Sequence, residues 1–158
     1  MGASGTAWVD TVLILIYSGW RISELLNLKP EDIDLQAGTM KGGTKTKAGK
    51  DRVVPIHSKI RALVEARLAE GGPRLIGYNG RACSQTQYRV FWADIMKALE
   101  MNHTPHECRH TFETQLDSAG ANRKCIDLLM GHVSKDTGNR VYNHKTLDEL
   151  KAAVELME

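Results

Sequence analysis

A chain of 158 residues with 42% hydrophobic and 25% charged side chains is sized for one domain with an ordinary core. Its formal charge of +2 is too small to announce a nucleic-acid partner, so such a reading must rest on where the charges sit. Cys83, Cys108 and Cys125, odd in number and without a CxxC spacing, argue against a disulfide framework and fit reduced thiols in the cytoplasm.

In chain order, Met1-Gly-Ala-Ser-Gly5 reads as an expression scar. Residues 6–18 predict an apolar helix, interrupted by Asp10 and Thr11 and too short to cross a bilayer, so no membrane partner is expected. It stops at Ser18-Gly19, and Arg21 to Leu28 predicts a second helix, ended by Lys29-Pro30. From Gly38 to Pro55 the composition shifts to Gly, Thr, Lys and β-branched residues. Turn signals at Gly42-Gly43 and Ala48-Gly49 divide it into three short antiparallel strands. Ser58 is the expected cap of a helix running to about residue 70, which Gly71-Gly72-Pro73 breaks before a surface loop to Cys83. Capping boxes at Ser84/Gln87, Thr104/Glu107 and Thr146/Glu149 mark three helix starts, and Asn122 to Met130 predicts a short helix stopped by Gly131. The expected fold is mainly α with a small three-stranded antiparallel β-sheet, of the α+β class. One domain covers 6–145 and a C-terminal helical segment covers 146–158.

The local feature richest in chemistry is Thr104-Pro-His-Glu-Cys-Arg-His110. With Thr104 as cap and Pro105 at the first helical position, His106 falls in the first turn, where free backbone amides favour an anion. His106 and Arg109, three apart, share a face and can both reach a phosphate. Taken alone, H-x-x-R is equally a solvated helix face. His103, His106, Cys108 and His110 lie close in sequence but point in divergent directions from one helix start, and no distal pair matches zinc spacing, so no metal is expected. Upstream, Lys41, Lys45, Lys47, Lys50 and Arg52 face a single Asp51, a positive ribbon that suits a DNA groove or is simply solvated.

Four ordered motifs decide between these alternatives. Ser18-Gly-Trp-Arg-Ile-Ser-Glu-Leu-Leu-Asn-Leu28, His106-Glu-Cys-Arg-His-Thr-Phe112, Leu129-Met-Gly-His132 and Arg140-Val-Tyr-Asn-His144 together resemble the catalytic domain of tyrosine recombinases. The resemblance runs from Trp8 to Glu149, and the tail Val141-Tyr-Asn-His-Lys-Thr146 is most similar to integrases of conjugative transposons. It implies the DNA breaking-rejoining fold, and catalytic roles for Arg21, Lys47, His106, Arg109, His132 and Tyr142. Glu24 matches the family's acidic residue beside the first arginine, where a plain surface pair with Arg21 is an equal physical reading. Tyr142 lies ten residues after His132, one more than the commonest family spacing, which implies an extra loop residue between them.

The resemblance further implies site-specific DNA recombination without metal or cofactor. Tyr142 attacks a backbone phosphate, giving a 3′-phosphotyrosine and a free 5′ hydroxyl. Arg21 and Arg109 hold the non-bridging oxygens, Lys47 protonates the leaving oxygen, and His106 and His132 are candidates for handling the tyrosine proton or for positioning. The expected partners are double-stranded DNA, contacted through Lys41, Lys45, Lys50 and Arg52, and further copies of the chain, as a homotetramer on DNA. In the C-terminal segment Leu147, Leu150, Val154 and Met157 form an apolar stripe that packs either on its own domain or on a neighbouring subunit. A separate N-terminal DNA-clamping domain usually accompanies such a catalytic half. The competing readings are a type IB topoisomerase, a non-catalytic DNA-binding module and a zinc-dependent nuclease.

Overall fold

The computed structural model describes residues 7–43, 51–132 and 145–158, and is helical apart from two small sheets. Met1–Gly5, Lys45, Lys47, Lys50, Tyr142 and His144 lie outside the described residues. Helix α1 (Val9–Ser18) is the central rod, its Ile14 and Leu15 fully buried. Helix α2 (Ile22–Asn27) follows after a sharp bend, then a 3-10 turn at Pro30–Asp32. Strands β1 (Ile33–Asp34), β2 (Thr39–Gly42) and β3 (Arg52–Pro55) form an antiparallel sheet in that order, with Met40 opposite Val54, both inside the core. Then come α3 (Arg61–Ala69), a hairpin of β4 (Gly77–Tyr78) and β5 (Arg81–Ala82), α4 (Gln85–Ala98), α5 (Pro105–Ser118), α6 (Arg123–Met130) and α7 (Leu147–Val154). Among the described residues no helix is long and apolar enough to cross a membrane.

The bend between α1 and α2 positions the site. Gly19 closes α1 with a left-handed φ of 70°, its N–H donating to the Leu15 carbonyl at 3.0 Å. A Cβ there would stand 2.4 Å from Cδ1 of Phe112, which is how closely α5 packs beneath the bend. Gly19→Ala is therefore expected to cost about 2–5 kcal/mol, from a left-handed backbone at about 1–2 and overpacking at about 1–3. A lower urea midpoint with an unchanged slope is the result that checks it.

Three sequence expectations are corrected. The sheet has three strands, but its first lies at Ile33–Asp34, before Gly38, because the turn after it is closed by Gly38 N–H on the Asp34 carbonyl. Ser58 does not cap α3, which starts after Ile60. Its amide and hydroxyl instead bind the Glu155 carboxylate at 2.7 and 2.8 Å. The stretch from Arg74 to Cys83 is more than a surface loop. Leu75 and Ile76 are buried, and Asn79-Gly80, at φ of 52° and 72°, makes the two-residue turn of a hairpin. The first helix, expected from residue 6, starts at Val9, whereas α4, α6 and α7 start where their caps predict, with Ser84, Asn122 and Thr146 each accepting a backbone N–H in the first turn.

Of the two arrangements open for the C-terminal stripe, packing on the same chain is the one present. Leu150, Val154 and Met157 are buried and α7 lies against β3 and α6. Beyond α7 the tail is fastened by Glu155 to Ser58, by the Met157 carbonyl to His57 Nε2 at 3.0 Å, and by the Tyr17 hydroxyl donating to the Glu158 carbonyl at 2.9 Å.

Candidate active site

Three buried or half-buried arginines converge where the α1–α2 bend, β3, α5 and the end of α6 meet. Arg21, the N-cap of α2, donates from Nη1 to Glu24 Oε1 at 3.1 Å, while its amide donates to Oε2 at 2.9 Å. Glu24 is 1% exposed and also receives the Arg52 fork, Nη1 to Oε1 at 2.9 Å and Nη2 to Oε2 at 2.8 Å. The alternative of a solvated Glu24–Arg21 pair is thereby overturned. The carboxylate is a buried bridge between two guanidinium groups. Burial alone would raise its pKa. The Arg52 hydrogen bonds, the Arg21 amide and both positive charges outweigh that and hold it down at about 2.

Arg52 itself corrects an expectation. Read as part of an exposed basic ribbon for DNA, it is 6% exposed, stacked 4.4 Å over the Trp20 ring, and donates from Nε to the Leu129 carbonyl at 3.0 Å. The signal that finds it is strand period: Val54 points into the core, so Arg52, two residues earlier, shares that face, while Val53 between them is exposed. Lys41 on β2 is exposed, as the ribbon reading expects. Trp20, the floor under Arg52, is the other site residue that the chemistry of the motifs did not single out.

Arg109 on α5 is 2% exposed and holds two carbonyls, Gly19 at 2.7 Å through Nη1 and Met130 through Nη2. Burial, then the nearby charges of Arg21 and Arg52, lower its pKa to about 10, so it stays charged at neutral pH. With Arg52 on Leu129 and Arg109 on Met130, the last carbonyls of α6 are satisfied by cations at the negative end of the helix. Gly131, at φ 69°, then ends α6, and exposed His132 follows with its amide on the Asp127 carbonyl at 2.9 Å. The same arginine thus fixes the Arg21 bend at one side and the His132 turn at the other.

His106, in the first turn of α5, is exposed and lines an open pocket of about 210 Å³ with Arg21, Ile22, Ser23 and Gln85. Chain segments far apart in sequence therefore bring Arg21, Glu24, His106, Arg109 and His132 to one region. Three guanidinium groups gathered around one buried carboxylate leave an excess of positive charge beside an open pocket, which is what an arriving phosphate diester requires. The thiols take no part. Cys83, Cys108 and Cys125 are buried and unpaired with one another, and burial pushes Cys108 up to about 12, far from a reactive thiolate. Among the described residues no group of three His, Cys, Asp or Glu side chains converges as a metal site.

Comparison with known proteins identifies the family and the fold. A tyrosine recombinase XerA from Thermococcus kodakarensis is 35% identical over 153 residues, covering 91% of this chain and 53% of the relative. The chain spans about half the length of the curated relatives it matches. Among solved structures, the integrase of mycobacterium phage Brujita superposes with a TM-score of 0.70 at 20% identity, covering 100% of this chain and 53% of that one, a likeness of fold. The Tn1549 transposon integrase in complex with transposon right end DNA gives 0.67 at 25% identity, covering 95% and 58%. These are the tyrosine recombinase catalytic-domain architecture, mostly helical with a small antiparallel sheet. The match to the phage integrase family extends over residues 6–149, and the chain belongs to that family.

Proposed function

We propose that this chain is the catalytic half of a tyrosine-type site-specific recombinase acting on double-stranded DNA in the cytoplasm. The observation that supports the reading is Arg21, held by the buried Glu24 with Arg109 buried nearby, lining the same open pocket as His106. In the proposed reaction the Tyr142 hydroxyl attacks a backbone phosphorus. The 5′ oxygen leaves with a proton from Lys47, and the products are a 3′-phosphotyrosine and a free 5′ hydroxyl. A tyrosine with an ordinary pKa of about 10 is a poor nucleophile at neutral pH, so its proton must be drawn off as the bond forms. In this reading His106 and His132, both exposed, draw off or help to position that proton. Arg21 and Arg109 hold the non-bridging oxygens as charge builds on them. The bond energy stays in the phosphotyrosine, so a second strand's hydroxyl can reverse the step, and no metal or cofactor enters.

Lys41, with Lys45, Lys47 and Lys50, contributes the positive hairpin to DNA, whereas Arg52 serves the site from inside. The assembled state in this reading is a homotetramer on DNA joined through segment 146–158. That joining requires the Glu155–Ser58 and Met157–His57 contacts of the isolated chain to part.

The test is covalent capture. Protein carrying this chain is incubated with an end-labelled pool of nicked duplexes of randomised sequence, in EDTA, and run on a denaturing gel. A shifted band lost in Tyr142→Phe is expected. DNA binding without a band favours a binding module, and a band that requires metal favours a nuclease.

A further inference from the structure

Arg52 is a third cation in a site whose proposed reaction uses two guanidinium groups. Its position denies it the substrate. It is 6% exposed, its guanidinium lies 4.4 Å over the Trp20 ring, Nε donates to the Leu129 carbonyl at 3.0 Å, and Nη1 and Nη2 both end on Glu24. Glu24 therefore has two guanidinium partners, and they share it unequally. The Arg52 fork takes both carboxylate oxygens, at 2.9 and 2.8 Å, whereas the Arg21 side chain gives Oε1 one longer hydrogen bond of 3.1 Å. Oε2 also accepts from the Arg21 amide at 2.9 Å, a contact that fixes the backbone of the bend without drawing on the guanidinium. Among the described residues the Arg21 side chain donates nowhere else, and it lines the open pocket that His106 also lines.

We infer that Arg52 is a positioning residue that acts as the dedicated counter-charge of Glu24, and so leaves the positive charge of Arg21 uncancelled for the non-bridging oxygens of an arriving phosphate diester. Electrostatics sets the direction. A carboxylate paired with one guanidinium is a dipole, whose field falls off faster with distance than that of a net charge. One carboxylate held between two guanidinium groups keeps a positive charge in excess. Arg52→Met leaves Arg21 as the cation hydrogen-bonded to Glu24, so the carboxylate draws that side chain onto itself and cancels its charge. Changing Glu24→Gln as well removes the negative charge and restores the excess, with an amide oxygen still there to accept from Arg21. A lysine at position 52 keeps the charge without the fork.

This role for Arg52 rests on the proposed recombinase reading, and its test separates the two. Single-turnover capture is measured for wild type, Arg52→Met, Arg52→Lys and the double variant Arg52→Met/Glu24→Gln, on nicked duplexes with a normal phosphate or a neutral methylphosphonate at the captured position. The quantity read is the ratio of the two rates, because unfolded protein lowers both alike and leaves the ratio unchanged. Arg52→Met is expected to lower the phosphate-to-methylphosphonate ratio at least about tenfold, a part of the ~10²–10³ that one well-placed donor contributes. The double variant is expected to recover most of that loss, and Arg52→Lys to keep a ratio within about threefold of wild type. A residue that only braced the fold would slow both substrates equally, and adding Glu24→Gln would slow them further. An unchanged ratio in Arg52→Met, or no recovery in the double variant, overturns the inference. Where circular dichroism shows that Arg52→Met does not fold, the other two variants decide: ratios near wild type in both uphold it, and a fall of about tenfold in either overturns it. If wild type gives no covalent band, inorganic phosphate is titrated instead and its line broadening followed by phosphorus NMR. Binding that Arg52→Met weakens and the double variant restores upholds the counter-charge and counts against the recombinase reading. Phosphate binding indifferent to Arg52, or none, overturns the counter-charge as well.

Discussion

Arg21→Ala is expected to slow strand cleavage about 10²–10³-fold, the cost of one well-placed donor to developing negative charge. Arg21 is a cleaner probe of charge stabilisation than Arg109. Removing Arg109 leaves the Gly19 and Met130 carbonyls unsatisfied in a buried place, at about 1–3 kcal/mol each, so a lost rate would be confounded with a displaced bend and a displaced His132 turn. Arg21 is only half-buried and, among the described residues, its side chain donates once, to a carboxylate that Arg52 continues to hold. Its truncation should change stability by about 1 kcal/mol or less, on the scale of a partly exposed ion pair. Single-turnover cleavage alongside urea denaturation separates the two quantities. A rate loss matched by a comparable fall in folding free energy would argue for a structural role instead.

Glu24→Gln is expected to destabilise the fold by about 3–5 kcal/mol. It leaves the Arg52 guanidinium buried without its counter-charge. The dependence on pH follows from the same contacts. The folded-state pKa, about 2, lies below the ordinary 4.5. The carboxylate's contribution is therefore fully present above about pH 4.5 and is lost as pH falls through about 2. Wild type and Glu24→Gln should converge in stability as pH is lowered from 6 toward about 2.5, and differ by a constant amount above about 5. Pairing Glu24→Gln with Arg52→Met removes both charges, and the double variant is expected to be more stable than the sum of the singles, by about 0.5–3 kcal/mol of coupling. Strict additivity in that cycle would mean the two groups do not act as a unit.

Much of this architecture was legible because capping chemistry is local. Ser84, Asn122 and Thr146 accept the amides their spacing assigns, and Gly19 and Gly131 end their helices in the left-handed conformation. What was misread depended on partners distant in sequence. Ser58 has the chemistry of a cap, but Glu155, nearly a hundred residues away, takes its amide and hydroxyl. Arg52 has the composition of a surface ribbon, yet strand period and the Glu24 carboxylate draw it inward. The Asn79-Gly80 hairpin was within reach of sequence rules, and its two-residue strands are too short for alternation to show. For the site, Arg21, His106 and Arg109 were named from motifs, while the buried state of Glu24 and the double carbonyl grip of Arg109 belong to the tertiary fold alone.

The most direct test of the proposed charge-stabilising cluster varies the phosphate instead of the protein. Cleavage by wild type and Arg21→Ala would be compared on two otherwise identical nicked duplexes, one with a normal phosphate at the captured position and one with a neutral methylphosphonate. If Arg21 neutralises charge on a non-bridging oxygen, the variant's deficit of about 10²–10³ on phosphate should shrink to within about tenfold on methylphosphonate. An equal deficit on both would contradict the account, placing Arg21 in the fold of the bend and not on the reacting phosphate.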